Sequence, residues 1–182
     1  MAQHLARRPL RRRVCGAAPS AVLLAGLALA APLAAEPRAG LSETFEDWTV
    51  SCAQVEGALL CTMAQDVRRT GGDARLLGAR IDLEAQEGPR LTLLLPMGLD
   101  LQAPVALTVG PSGAPFADPL PQVCQQAECY AFVPLTGDQR DLLDSEIAVR
   151  VRLTPFSGEA QEVPLSLRGF SEAFARLEVL AR

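Results

Sequence analysis

Hydrophobic and polar residues alternate along most of the chain from Phe45 onward. This two-residue period is typical of β-strands that bury one face. The pattern predicts about nine short strands, separated by turn-forming residues such as those at 87–89, and the first two strands form a hairpin across Glu56-Gly57. The alternating apolar positions are Trp48, Val50 and Cys52; Leu59, Cys61 and Met63; Leu77, Ala79, Ile81 and Leu83; Leu91, Leu93 and Leu95; Val105, Leu107 and Val109; Ile147, Val149, Val151 and Leu153; and Val163, Leu165 and Leu167.

The run from Cys129 to Leu135 differs from the others because Tyr130 and Phe132 fall between its aliphatic residues. A strand that is apolar on both faces is typical of a position inside a sheet. We therefore predict that this strand is central. The run at 147–153 alternates with charged residues and predicts a half-exposed strand, which pairs with the run at 163–167.

The segment after Gly169 is the one stretch whose pattern favours a helix. Ser171 is its predicted N-cap, and Phe174, Leu177 and Leu180 lie on one side of it. Many short strands and one terminal helix predict an all-β fold, an antiparallel β-sandwich or barrel-like domain with a short C-terminal helix. We assign residues 44–182 to this domain and residues 36–43 to a flexible segment before it.

The first 35 residues have the three parts of a secretory signal peptide. Five arginines precede an Ala-rich apolar run from about Ala17 to Ala35, and small residues end it. A transmembrane anchor is the alternative, since the run approaches the length that spans a bilayer, but Pro19 and Pro32 interrupt it. The pattern favours cleavage after Ala35 or after Ala30, which leaves no transmembrane anchor.

Cysteine number changes with removal of the signal peptide. Cys15 is lost, and the four that remain are Cys52, Cys61, Cys124 and Cys129. An even number in an exported chain indicates disulfides. The hairpin places Cys52 beside Cys61, and only four residues separate Cys124 from Cys129, so we expect local pairing, with crossed pairings as the alternative. Redox catalysis and a zinc site are less consistent with these spacings, because neither pair is Cys-x-x-Cys.

Charge and composition exclude several classes of function. All 17 basic residues are arginine, and removal of residues 1–35 leaves 12 basic and 21 acidic residues, a net charge of −9. Such an acidic protein is not expected to bind nucleic acid. The only histidine, His4, belongs to the signal peptide and lysine is absent. The mature chain therefore lacks the usual general bases and most activated nucleophiles.

Carboxylates are the remaining chemical groups. The densest set could bind calcium through its oxygens, although Arg140 interrupts it and the spacing is not that of a known loop, so a solvated loop is favoured. Trp48 could bind a ligand, but its phase with Val50 and Cys52 favours a core position. The members of the acidic set are Asp138, Asp141, Asp144 and Glu146.

Taken in order, several short segments resemble the invasion-associated locus B (IalB) family of exported proteins. The resemblance covers about Phe45 to Leu177 and implies a β-rich periplasmic or outer-envelope protein, linked by the family's name to host-cell invasion, with no catalytic residue to transfer. The segments are Asp47-Trp48-Thr49-Val50-Ser51-Cys52, Cys61-Thr62-Met63, Leu95-Pro96-Met97-Gly98-Leu99, Cys124 with Cys129, and Leu165-Ser166-Leu167-Arg168-Gly169-Phe170.

We therefore expect a non-enzymatic interaction protein of the periplasm or outer envelope. Its expected partner is an envelope protein or surface component, and no cofactor, metal or catalytic residue is predicted. Two alternatives remain open. A carboxylate-dependent hydrolase of envelope glycan would need two acids facing each other across a cleft. A carrier of an apolar ligand would need a continuous apolar cavity.

Overall fold

The computed structural model of the protein describes residues 40–84 and 86–181. The predicted signal peptide and residues 36–39 lie outside this part of the chain. Within it, neither helix is long and apolar enough to span a bilayer. The elements are β1 (Ser42–Phe45), β2 (Trp48–Val55), β3 (Ala58–Arg68), β4 (Arg75–Glu84), β5 (Gly88–Pro96), β6 (Ala106–Val109), β7 (Ala114–Ala117), β8 (Val123–Gln125), β9 (Glu128–Pro134), α1 (Gly137–Ser145), β10 (Ala148–Leu153), β11 (Gln161–Ser166) and α2 (Phe170–Leu180).

The strands form two antiparallel sheets. One sheet has seven strands in the order β1-β2-β3-β4-β5-β9-β8, and the other has four in the order β11-β10-β6-β7. The predicted all-β fold with a C-terminal helix is confirmed as two sheets that do not close into a barrel. Strands β1, β7 and β8 span only three or four residues each, too few for alternation to identify them in the sequence.

The inner face of the larger sheet is a set of apolar rows that run across the strands. In one row, Cα pairing joins five buried residues from five neighbouring strands: Val50, Met63, Ile81, Leu91 and Val133. These rows pack against the buried residues of the smaller sheet and of α2 in one hydrophobic core. Burial of such apolar surface is the main stabilising contribution to the fold.

The next row contains one polar residue, Gln65, which connects the two sheets. Its Nε2 donates to the carbonyl of Asp47 at 3.1 Å and to that of Ser166 at 3.2 Å, and its Oε1 accepts from the Ser166 N–H at 3.0 Å. Trp48 Nε1 also donates to the Ser166 carbonyl, at 3.0 Å. Ser166 lies on β11, an edge strand. The side chains of Gln65 and Trp48 therefore form hydrogen bonds with the N–H and carbonyl of Ser166, which face the open side of this edge strand.

Strand β9 is not central, contrary to the sequence prediction. It lies second from the edge, and β4 occupies the middle of the sheet. The outward-facing Tyr130 and Phe132 are half-buried because other side chains cover them. The guanidinium of Arg90 lies over the Phe132 ring, 5.1 Å from its centroid, and the aliphatic part of an arginine can cover apolar surface in this way.

Helix α1 was not predicted, and it replaces the solvated loop expected at the acidic set. Thr136 and Gln139 form a capping box at its start, and Leu143 is its one buried residue. Such a short amphipathic stretch shows little periodicity. Ile147, predicted to face inward, is 81% exposed because it precedes the first paired residue of β10.

Helix α2 begins at Phe170, so the predicted N-cap Ser171 was wrong. The N-cap is Gly169, with a φ of 76°. A Cβ atom at this position would lie 2.1 Å from the carbonyl oxygen of Phe45, which requires glycine. The Ser171 hydroxyl instead donates to Asp144 at 2.6 Å. As predicted, Phe174 and Leu177 are buried.

Residues 42 and 43, assigned above to the flexible segment, belong to β1. Arg176 of α2 donates from Nε and Nη2 to both carboxylate oxygens of Glu43, at 2.8 and 2.7 Å. These bonds hold the pKa of Glu43 below its ordinary value of 4.5. A carboxylate with a lowered folded-state pKa stabilises the fold fully above its unfolded-state pKa and loses this contribution as the pH falls through the folded-state value.

Unfolding in urea should therefore show a stability loss below pH 4.5 that depends on Glu43. In Glu43→Gln the stability at neutral pH should fall and the acid dependence should flatten, because the ion pair is absent at every pH. Glu87→Gln, in the exposed β4–β5 turn, controls for loss of one carboxylate. Identical stability–pH curves for Glu43→Gln and the unsubstituted protein would contradict the contribution of this pair.

Candidate functional site

Two loops lie together at one end of the sandwich, at 97–105 and 154–160. The N–H of Asp100 donates to the carbonyl of Thr154 at 2.9 Å, and the N–H of Phe156 donates to that of Gly98 at 2.8 Å. Leu99 and Pro155 form an antiparallel bridge between these bonds. The loops are thus joined by strand-like hydrogen bonds, which give them a defined relative position.

Local sequence explains the course of the first loop. Pro96 ends β5, and Gly98 adopts a φ of 89°, which favours glycine. The Asp100 carboxylate then accepts from the N–H of Gln102 at 3.0 Å, an Asx-type turn. Leu99, half-buried, packs against the hydrophobic core. Leu99 therefore points toward the core, whereas Met97 and Leu101 are exposed to solvent.

Three large apolar side chains project from these loops. Met97 is 55% exposed, Leu101 is 50% exposed and Phe156 is 84% exposed. We call these three residues the loop surface. Exposed apolar side chains on adjoining loops are a feature of many interaction sites. Phe156 is the most exposed large apolar residue in the described part of the chain, and aromatic residues are frequent anchors of protein interfaces.

Sequence reasoning did not identify the loop surface. Met97 was noted only as part of a family-like segment, and Phe156 was given no functional role. The available signal was the position of Phe156 between Pro155 and the turn residues Ser157-Gly158. A phenylalanine in a tight turn does not lie on a strand, and it therefore has no strand face directed at the core.

A network of arginines and carboxylates adjoins Met97 around an open cavity of about 320 Å³. Asp66 accepts from Arg68 at 2.9 Å and from Arg75 at 3.2 Å. Arg75 also pairs with Glu128, which accepts from the Tyr130 hydroxyl at 3.2 Å. Guanidinium groups thus engage Asp66 and Glu128, and Asp73, whose backbone carbonyl accepts from Arg68 at 2.8 Å, also lines the cavity. A glycosidase pair instead presents a protonated acid and a free carboxylate to the substrate, so the paired Asp66 and Glu128 give the hydrolase hypothesis no support.

The carboxylates of the acidic set at 138–146 lie on and beside helix α1. In the described ranges, no three potential ligands converge on a point that could hold a metal ion. Asp144 forms an ion pair with Arg140, with Nε and Oδ2 3.2 Å apart, and accepts a hydrogen bond from the Ser171 hydroxyl. Glu146 follows the helix and approaches Gly110. The helical arrangement thus separates carboxylates that are close together in the sequence.

Both predicted local disulfides are present. Cys52 pairs with Cys61 across the β2–β3 hairpin, and Cys124 pairs with Cys129 across β8–β9. Each pair is directly opposite in its strand register. Trp48, considered above as a possible ligand-binding residue, is 1% exposed and thus belongs to the core.

The tip of the β2–β3 hairpin is a second exposed apolar region. Val55, Leu59 and Leu60 are each about half exposed, and the tip extends beyond the pairing of β3 with β4, which begins at Thr62. The sequence prediction placed Leu59 on the buried face. Leu59 shares its strand face with Cys61 and Met63 as predicted, but among the described residues no second layer covers this end of the β2–β3 hairpin.

The cavities at the surface do not resemble a binding chamber for an apolar ligand. A cavity of about 440 Å³ near Ile147 is open and includes Glu146 and Arg150, and another of about 530 Å³ includes Arg68, Arg69 and Glu162. Between the sheets, the buried apolar residues form one packed cluster. The described residues thus provide no argument for the carrier hypothesis.

Comparisons with known proteins agree on one family. A family model described as "Invasion associated locus B (IalB) protein" matches residues 48–178. An Invasion protein B homolog of Brucella abortus strain 2308 is 31% identical over 146 residues, which are 78% of this chain and 82% of that protein. A homolog from B. abortus biovar 1 strain 9-941 has the same values.

A solved structure shares the fold. The crystal structure of invasion associated protein b from Bartonella henselae superposes with a TM-score of 0.68 and 23% sequence identity, and the match covers 77% of this chain and 96% of that one. At this identity the similarity concerns the fold.

Proposed function

Because this chain belongs to the invasion-associated locus B (IalB) family, we propose that it is an exported protein of the periplasm or outer envelope that binds a partner and catalyses no reaction. The partner is an envelope protein or surface component. Export is supported by the N-terminal signal-peptide pattern and by two disulfides, since disulfides persist in oxidising compartments.

The loop surface is the observation that carries the binding function. It combines an almost fully exposed phenylalanine with two half-exposed apolar side chains on loops joined by backbone hydrogen bonds. A pre-organised apolar anchor loses little conformational entropy on binding. Burial of an aromatic anchor in a partner's pocket commonly contributes about 2 kcal/mol or more to binding.

The absence of a catalytic role is supported by the side chains available. In the mature chain lysine and histidine are missing, and all four cysteines form disulfides. Asp66 and Glu128 are engaged by arginines, and the Asp100 carboxylate accepts from the Gln102 N–H. These features favour a binding surface over a catalytic centre.

The proposal predicts loss of envelope binding when the loop surface is made polar. Cells of the native host carrying the tagged full chain are fractionated, and the intact mass of the periplasmic protein should lack residues 1–35 or 1–30. This mature protein should bind saturably to envelope vesicles from the same cells. The double variant Met97→Ser, Phe156→Ser should bind at least about tenfold more weakly.

Ile147→Ser is the matched control, because Ile147 is 81% exposed and lies away from the two loops in the chain. It should bind as the unsubstituted protein does. Equal binding by the loop variant and the control would reject the loop surface as the binding site. Hydrolysis of envelope glycan that disappears in Glu128→Gln would instead establish the hydrolase function.

A further inference from the structure

The two disulfides differ in their exposure to solvent. Cys52 is buried and Cys61 is half-buried, with the Leu180 carbonyl oxygen of α2 4.0 Å from Cys61 Sγ. Cys129 is also buried, and Met97 Sδ lies 3.7 Å from its sulfur. Cys124, in contrast, is an exposed residue on a strand whose three residues are all exposed. One bridge therefore joins a buried and a half-buried cysteine, and the other is open at Cys124.

The strand that carries Cys124 is weakly held. β8 is an edge strand and pairs with β9 alone, over three residues. One further backbone bond, from the Gln122 N–H to the Tyr130 carbonyl at 2.8 Å, continues this pairing. Such a short exposed edge has few apolar contacts and is expected to open locally at a small free-energy cost. The disulfide is its covalent connection to the sheet.

Charge around Cys124 does not oppose an approaching thiolate. The segment 119–127 has no charged side chain, and the nearby Glu128 is paired with Arg75. Thiol–disulfide exchange depends on access of a thiolate to one sulfur of the bridge. Access favours attack at Cys124, and the uncharged segment around it does not oppose attack.

We propose that Cys124 Sγ is a thiol-exchange site at which an external dithiol opens the Cys124–Cys129 bridge and releases β8 from the sheet. One thiolate of the dithiol attacks Cys124 Sγ, and Cys129 leaves as a thiolate that takes a proton from water. The second thiolate of the reductant then attacks the mixed disulfide and releases Cys124. Two electrons pass from the dithiol, which becomes a disulfide, to the protein, which becomes a dithiol.

Release of β8 leaves the outer edge of β9 unpaired. Backbone groups of this edge, among them the Tyr130 carbonyl bonded to the Gln122 N–H, then lose their hydrogen-bond partners in β8 and in the residue before it. An open strand edge of this kind can accept an extended segment of another chain. The bridge thus controls whether the larger sheet ends in a closed or an open edge.

Timed reduction of the folded mature protein tests the exchange site. Dithiothreitol is added without denaturant, samples are quenched by alkylation, and peptide mapping measures the loss of each bridge. We expect the Cys124–Cys129 bridge to open at least about tenfold faster than the Cys52–Cys61 bridge. In guanidinium, which removes the difference in burial, the two rates should become similar. Faster opening of Cys52–Cys61 in the folded protein, or equal rates there, would overturn the proposal.

Two further readouts test the direction of attack and the release of β8. With glutathione, the trapped mixed disulfide should be on Cys124, and a mixed disulfide found on Cys129 would contradict the assigned site. After selective reduction, backbone hydrogen exchange should increase within 122–130 and remain unchanged in β3 and β4. Unchanged exchange at 122–130 would show that the bridge opens without release of the strand, against the proposal.

Discussion

Replacement of Trp48 by alanine is expected to lower the free energy of unfolding by about 3 to 5 kcal/mol. Trp48 is 1% exposed, and its ring meets the edge of Phe170 at a centroid distance of 5.5 Å and an angle of 76°. Removal of the indole leaves a cavity between β2, α2 and β11. The Ser166 carbonyl retains its bond from Gln65, so the lost packing, rather than an unpaired acceptor, accounts for most of the effect.

Urea unfolding followed by far-UV circular dichroism measures this effect. Trp48→Phe retains most of the apolar volume and should lose clearly less stability than Trp48→Ala. Val179→Ala, an exposed change on α2, should stay within about 0.5 kcal/mol of the unsubstituted protein. A loss below about 1 kcal/mol for Trp48→Ala would contradict the position of this residue at the centre of the packing.

Removal of the hairpin bridge by the double change Cys52→Ala, Cys61→Ala should cost about 2 to 3 kcal/mol. The bridge closes a short loop, with a sequence separation of 9, and its removal raises the conformational entropy of the unfolded chain. The tip beyond it has no neighbouring strand on β3, so the native hairpin should also fray.

The single change Cys52→Ala tests the pairing itself. It should leave Cys61 as one reactive thiol and the Cys124–Cys129 bridge intact, as measured by thiol titration and peptide mapping under non-reducing conditions. The free energies of unfolding of the single and double variants should agree within about 1 kcal/mol. A new bridge from Cys61 to Cys124 or Cys129 in the mapped peptides would contradict the independence of the two pairs.

Alternation in the sequence was sufficient to predict the all-β fold and most of its buried residues. Strands with four or more alternating apolar positions, such as β4 and β10, were identified because burial of one face imposes a period of two. The local disulfides followed from the same phase, since the hairpin register brings Cys52 opposite Cys61.

The position of β9, helix α1 and the role of Gly169 depend on contacts between distant parts of the chain or on a single buried residue, and the local sequence pattern does not predict these. The position of β9 near the edge was not predictable, because Arg90 covers Phe132 from a neighbouring strand. Helix α1 has one buried leucine, and its capping box was the only available signal. Gly169 is required by the carbonyl of Phe45, which is distant in the chain.

The loop surface was missed for the same physical reason. Phe156 is apolar, and a hydrophobic residue is expected to be buried unless the surrounding chain prevents it. Here the bonds between Phe156 and Gly98 and between Asp100 and Thr154 direct the loop backbone across the end of the sandwich. This leaves the phenylalanine without a core position to occupy.

Site-specific photo-crosslinking in living cells tests most directly whether the loop surface contacts the partner. Benzoyl-phenylalanine is incorporated in place of Phe156 in one strain and in place of Ile147 in another, since the two residues are 84% and 81% exposed. We predict one dominant ultraviolet-dependent adduct to an envelope component from position 156 and none from position 147. The same adduct pattern at both positions, or no adduct at position 156 in correctly exported protein, would contradict the proposed binding function of the loop surface.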